Sequence, residues 1–558
     1  MGQVDNVILV PTSLIRFFGT LCIGLILLAA WFFGGLFSYS LTGSGNAQAA
    51  QNDPVPIAST ISLPKPVAKW DKPDLAIILT GQQHGYLLPC GCSRPQVGGL
   101  ERRFNFIQGL KSQGWKIAAL DLGDLPHNQG LVSLSNEQGL IKYRYAMMAQ
   151  KAMGYSAVGF GEYEASLPLF NALAEYALND PLPKVLGANL KDREKEFPDQ
   201  VGTWAKVETS GSQVKFGVTA VVGPGIAGKI QDPRVKFSSS KDALAQSLEE
   251  MNKAKLDLKI LLYQGVLKGV AKGASPSEAL AAVHAFPQFQ VVLCLSEEEE
   301  PSSNPIVVTH PETKEQILII RIGMKGKYIG VLGVYKNPTV GQPYKFRYTI
   351  AQMAEDYLTP ASAKKNHPVI DLMERYGKEL KADNYLSRNR QVRHPAQVAF
   401  AEASPVYVGS DKCKKCHESA FAVWKKSPHS HAYQTLVQAK EPSNRQFDPE
   451  CIVCHTVGFG FQSGFTTLDK TPILTDVGCE SCHGPASEHV KKATDERWYK
   501  VLNPWKPQPS ETAKDKELRL GKIDQFCQKC HDIDNDVHWT NKGFERKWPL
   551  VAHPTPVD

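Results

Sequence analysis

"CKKCH" occupies residues 413–417, and its frame returns as "CIVCH" (451–455), "CESCH" (479–483) and "CQKCH" (527–531). Two thiols three positions apart can add to the two vinyl groups of one tetrapyrrole, and the histidine that follows can bind its iron from beneath. Structural zinc and disulfides are the rival uses of such thiols. Neither explains why a histidine follows the second cysteine in every copy. The repeat therefore predicts four haem c groups, carried on Cys413 and Cys416, Cys451 and Cys454, Cys479 and Cys482, and Cys527 and Cys530. His417, His455, His483 and His531 are the proximal iron ligands in this reading.

The surrounding composition agrees. Beyond Pro405 the aliphatic runs thin out and Lys, Pro and Gly become frequent. A region so poor in aliphatics would struggle to build a core from side chains alone, and porphyrins would fill the deficit. A six-coordinate iron needs a second axial ligand, commonly His or Met. No Met follows Met373, so histidine is left. His429, His489 and His553 are the expected distal ligands, with His431 and His538 as alternatives. His431 is two positions from His429, and on a helix it would point well away from it.

The run "CKKCH…WKKSPHS", then "CIVCHTVGFGFQSGF", then "VGCESCHGP" resembles the tetrahaem cytochrome c554 family over about 405–558. Those cytochromes accept electrons from hydroxylamine oxidoreductase, hold three haems with paired histidines and leave one haem five-coordinate. The resemblance implies that His429, His489 and His553 are distal ligands, and that the open iron belongs to Cys451, Cys454 and His455. It does not say which distal histidine serves which haem.

Residues 74–350 read differently. Short apolar runs such as "LAIILTG" (75–81), "KIAALDLG" (116–123), "KFGVTAVVG" (215–223) and "LKILLYQG" (258–265) alternate with amphipathic stretches. That rhythm predicts an α/β domain with sheets buried on both faces. Consecutive strand-like runs at 316–349 predict mixed rather than purely parallel sheets. In order, "TGQQHGYLLPCGC", "LDLGD", "MGYSAVGFGEYE", "GANL" and "GKYIGVL" resemble the calcineurin-type metallophosphoesterases of the 5′-nucleotidase-like branch. Such enzymes use two metals to activate water. Against that pattern Asp-x-His reads Gln82-Gln83-His84, Gly-Asn-His-Glu reads Gly161-Glu162-Tyr163-Glu164, and a later histidine is Gln264. His84, Asp124 and Glu162 are what remains, which predicts loss of the two-metal site. Cys90-Gly-Cys92 could be a disulfide, a ligand pair with His84 or inert thiols, with Cys294 as an alternative partner.

An uncharged apolar run at 17–41 is long enough to span a bilayer. Arg16 precedes it and the next charge is Asp53, which predicts a cytoplasmic N-terminus with the body exported. A retained anchor is preferred to a cleaved signal ending at Ala47-Gln48-Ala49. The net charge of +7 is too small and too scattered to argue for nucleic acid.

The expected organisation is an anchor or signal (1–41), a Pro-rich linker (42–73), a metallophosphoesterase-like α/β domain (74–350), a connector (351–405) and a mainly helical, loop-rich tetrahaem cytochrome c domain (406–558). The expected function is periplasmic or other extracytoplasmic electron transfer at the inner membrane, with redox proteins as partners and no catalytic residues. Two alternatives stand beside it: a haem oxidoreductase acting on a small nitrogen species at the open iron, and a phosphoesterase.

Overall fold

The computed structural model describes residues 67–90, 94–127, 137–167, 183–191, 201–267, 277–298, 300–310, 312, 314, 316–337 and 343–553. The apolar run at 17–41 lies outside them, as do Cys92 and the side chain of Cys90. Among the described residues no helix is long and apolar enough to cross a membrane.

Two sheets form the front of the molecule. The first has seven strands, in the order 344–352, 328–336, 75–80, 117–121, 155–159, 184–186, 201–202. From Leu75–Thr80 to Val201–Gly202 the pairing is parallel, while Tyr328–Lys336 and Tyr344–Gln352 add an antiparallel edge. Every residue of Leu75–Thr80 is buried. A strand covered on both faces has no solvent side to alternate towards, which is why "LAIIL" is unbroken. The second sheet has six strands, parallel from Lys215–Val222 through Gln316–Ile320, with antiparallel strands at both edges. Cys294 lies in it with its thiol buried and directed at Ile320 O, 3.7 Å away. It is a free thiol, so it is not the bridging partner considered for Cys90 or Cys92.

Local chemistry starts and stops the helices around these sheets. Ser240–Lys253 begins where the Ser239 hydroxyl accepts the Asp242 N–H, and it buries Ala243, Leu244, Ser247, Leu248 and Met251 along one face. The stretch between 351 and 405 carries a helix, Pro368–Ala382, capped by His367. Its Val369, Leu372, Met373, Tyr376 and Leu380 join the front domain's main core.

The loops at the carboxyl ends of the first sheet's parallel strands turn tightly towards each other. Gln82 N donates to Gly123 O (2.7 Å) and His84 N to Asp124 O (2.9 Å). Gln82, His84 and Asp124 all adopt left-handed backbone conformations. Gly161 closes the group, because a Cβ there would lie 2.3 Å from Asp124 Oδ1. Carboxyl ends of strands are where such sheets usually present a site.

Beyond residue 405 the chain is short helices and turns. A small core of Tyr407, Tyr433, Leu436, Ile452, Val457, Phe459, Phe465 and Leu474 gathers around the second CxxCH group. The first, third and fourth groups contribute no residue to that cluster, which matches the thin aliphatic content of the sequence.

Candidate functional site

Each of three CxxCH histidines faces an imidazole from elsewhere in the tail. The ring centres of His417 and His489 are 6.1 Å apart, those of His429 and His531 6.0 Å, and those of His483 and His553 6.0 Å. Two imidazole nitrogens bound at about 2 Å to one metal between them put their ring centres about 6 Å apart. His455 meets no second imidazole at that range among the described residues. His431 is exposed beside the Ser430 hydroxyl, and His538 directs its Nε2 at Arg94 O, 2.6 Å away.

The far nitrogens of three proximal rings are anchored as is usual for metal-binding histidines. Nδ1–H of His455 donates to Ala432 O (2.7 Å), that of His483 to Leu502 O (2.5 Å) and that of His531 to Asp536 Oδ2 (3.0 Å). Such a bond fixes the tautomer and leaves Nε2 as the free donor atom. His489 keeps a buried Nδ1 with no partner. Burial, with His531 and His455 nearby, pushes His429 down to about 4, and burial likewise lowers His455, His483 and His489. All four are therefore neutral near pH 7, the form that binds a metal. Sequence reasoning missed Asp536, Ala432 and Leu502. Only the acidic run "HDIDND" (531–536) offered a signal, and the two carbonyls offered none.

The thiols converge across motifs as well. Cys413 lies beside Cys479 and Cys530 beside Cys454, and Cys482 lies near Cys527 and Cys530. Glu480, inside the third motif, is buried and ties these segments together. Its carboxylate accepts Val408 N (2.9 Å), Gly409 N (2.7 Å) and Ala486 N (2.9 Å). These donors and spacings fit haem c: two thiols per group, a proximal imidazole whose Nδ1 is anchored in three groups, and, for three groups, an opposed imidazole.

At the front domain's strand ends, amides occupy the expected metal-ligand positions. Gln82 exchanges two hydrogen bonds with Ser296, 3.0 Å from Nε2 to O and 2.7 Å from Ser296 N to Oε1. Gln264 Nε2 donates to Leu122 O (2.7 Å) and Asn189 bridges Val222 N and O. Asp124 Oδ1 accepts Tyr163 N (2.9 Å), and burial beside Glu164 pushes its carboxyl well up. His84 stacks on Tyr163 and burial takes it down to about 3, while Glu162 turns outward to Lys229 (3.4 Å). Among the described residues no group of three or more His, Cys, Asp and Glu could hold a metal ion.

The same face touches the tail. Glu450, the residue before Cys451, pairs with Lys142 and with His127 (2.7 Å). Asp534, three residues after His531, lies between Lys325 and Lys327.

Residues 412–484 match the family model for cytochrome c554 and c-prime. The likeness read from the sequence is met there, over the first three CxxCH groups. A curated relative, cytochrome c-554 of Nitrosomonas europaea, is 36% identical over 94 residues, which is 15% of this chain and 40% of the relative. The match thus spans less than half of that cytochrome. Among solved structures, a 5′-nucleotidase precursor from Thermus thermophilus has a TM-score of 0.43 at 18% identity, covering 55% of this chain and 59% of its own. The calcineurin-like phosphoesterase YfkN of Bacillus subtilis has a TM-score of 0.40 at 17% identity, covering 55% of this chain and 97% of its own.

Proposed function

We propose that this protein is an exported, membrane-anchored tetrahaem cytochrome that passes electrons between redox proteins, with a non-catalytic phosphoesterase-like domain in front. The observation that carries this reading is the set of imidazole pairs, each joining a CxxCH histidine to a ring from another part of the tail at the spacing of two ligands on one iron. Bound haem would supply one-electron chemistry. The chain supplies the rest. Eight cysteines would hold the groups, His417, His455, His483 and His531 would bind the irons, and His489, His553 and His429 sit opposite the first, third and fourth of these rings. The spent amides at Gln82 and Gln264 support a front domain that has given up hydrolysis.

A pyridine haemochrome assay should count four haems per chain, and the ferric spectrum should show three low-spin irons and one high-spin iron. A colourless protein, or one carrying zinc, would sink the proposal.

A second reading is favoured by His455, which faces no opposing imidazole among the described residues. An iron there would be open to a small nitrogen ligand, making the protein a haem oxidoreductase. If the reduced protein binds CO at one iron in four, that reading stands. If it binds none, the protein is a relay only.

A further inference from the structure

The loop after the fourth motif does two things at once. At one end, Asp536 accepts the Nδ1–H of His531 at 3.0 Å and also pairs with Lys547. In the middle, Asp534 is buried against the front domain, where Lys327 Nζ lies 2.8 Å from Oδ1 and the Tyr86 hydroxyl 3.1 Å from Oδ2, with Lys325 on the same oxygen. Asp532 ties the two ends together: its carboxylate accepts Asp534 N (3.0 Å) and Asn535 N (2.7 Å), and its carbonyl accepts Asp536 N (2.8 Å). Five residues of chain therefore connect a front-domain ion cluster to the hydrogen bond on a haem-ligand histidine.

The front side of the clamp is stiff. Lys325 N donates to Gln82 O at 2.7 Å, and Gly326 sits so close to Gln83 that a Cβ would be 2.5 Å from its Nε2. The lysines are thus mounted on the Gln82-Gln83-His84 loop, the place where a metal-binding Asp-x-His stands in the resembled enzymes. The Asp534 side chain is only 6% exposed, so a mispaired carboxylate there could not simply turn to water.

We propose that the front domain uses this degraded face as a clamp, in which Lys325 and Lys327 grip Asp534 and so hold Asp536 on His531, setting the reduction potential of the fourth haem. The inference rests on the cytochrome reading above. Lys325, Lys327 and Asp534 are positioning residues, because they act through Asp536. A carboxylate on Nδ1 strengthens the imidazole as a donor to iron and favours the oxidised state. Releasing it raises the potential.

The sign separates this role from a plain field effect. Removing two positive charges near a haem lowers its potential, whereas loosening the Asp536–His531 bond raises it. The test is potentiometry with low-temperature electron paramagnetic resonance on the full chain carrying Lys325→Met and Lys327→Met. One haem should shift upward, its reduced-to-oxidised ratio at fixed potential rising at least threefold. Asp536→Asn should move the same haem by about tenfold, equivalent to 59 mV for one electron. Lys325→Arg with Lys327→Arg should restore the wild-type value. If the double variant does not fold with a full haem complement, Lys327→Met alone is read by the same sign. A potential that is unchanged or lowered, or a shift at a different haem from the one Asp536→Asn moves, overturns the clamp. Wild-type protein lacking covalent haem would instead overturn the cytochrome reading itself.

Discussion

Lys142→Met should uncouple the tail from the front domain at one identifiable point. Lys142 sits on the helix Glu137–Met153, with its side chain 5% exposed, where it donates to Gly85 O (3.0 Å) and pairs with Glu450. Burial alone would push the Glu450 carboxyl up, but Lys142 and His127 more than cancel it and hold it down to about 2, against an ordinary value of 4.5. That depression corresponds to about 3 kcal/mol, at 1.36 kcal/mol per unit, shared between the two partners. Removing Lys142 forfeits the larger share and leaves a carboxylate with one partner, so a loss of about 2–3 kcal/mol at pH 7 is expected. The sign with pH follows. A depressed carboxyl stabilises the fold above its unfolded value of 4.5, and that contribution is lost as pH falls towards about 2. The difference between wild type and variant should therefore hold at neutral pH and shrink below about pH 4.5. Denaturant unfolding of wild type, Lys142→Met, Glu450→Gln and the double variant gives the pair's coupling directly. A Lys142→Met protein within about 0.5 kcal/mol of wild type, the range of an ordinary surface change, would refute the reasoning.

Three further outcomes follow from the geometry. His429→Ala should turn the fourth haem, and no other, from low-spin to high-spin, because the ring facing His429 is His531; an unchanged paramagnetic spectrum would remove that pairing. Burial, then His127 and Lys325, hold His84 down to about 3 from 6.5, so the unfolded chain takes up a proton first as pH falls. Stability should thus drop by about 1.4 kcal/mol between neutral pH and 5.5 on account of this residue, and His84→Asn should abolish that slope in a melt series. Glu480→Ala leaves the Val408, Gly409 and Ala486 amides without their acceptor, costing about 3 kcal/mol or more in chemical denaturation; a loss under 1 kcal/mol would show that water replaces the carboxylate.

The front domain's departure from the ligand pattern it resembles was legible in part. Gln82 and Gln264 could be read as standing where the resembled pattern has Asp and His, since an amide brings neither the negative charge of a carboxylate nor an imidazole nitrogen. That their amides bond Ser296 and Leu122 could not be seen, because those partners come from other strands. The role of 351–405 was equally hidden. A helix from His367 is readable from its spacing, but its packing into the main core depends on where the sheet's helices leave room.

What the sequence by itself determined is whatever lies within a few positions along the chain. Two thiols and a histidine in a five-residue frame can meet one porphyrin wherever the frame is placed, so the four CxxCH frames on which the proposed haems rest are legible without the fold. The tertiary structure decided everything that crosses the chain. It put His489 opposite His417, His553 opposite His483 and His429 opposite His531, and among the described residues it left His455 without an opposing imidazole. It also brought Asp534 and Glu450 onto the front domain's lysines. The reason is physical: attachment is set by covalent spacing, whereas an opposing ligand or a buried ion pair is chosen by which surfaces fold against each other.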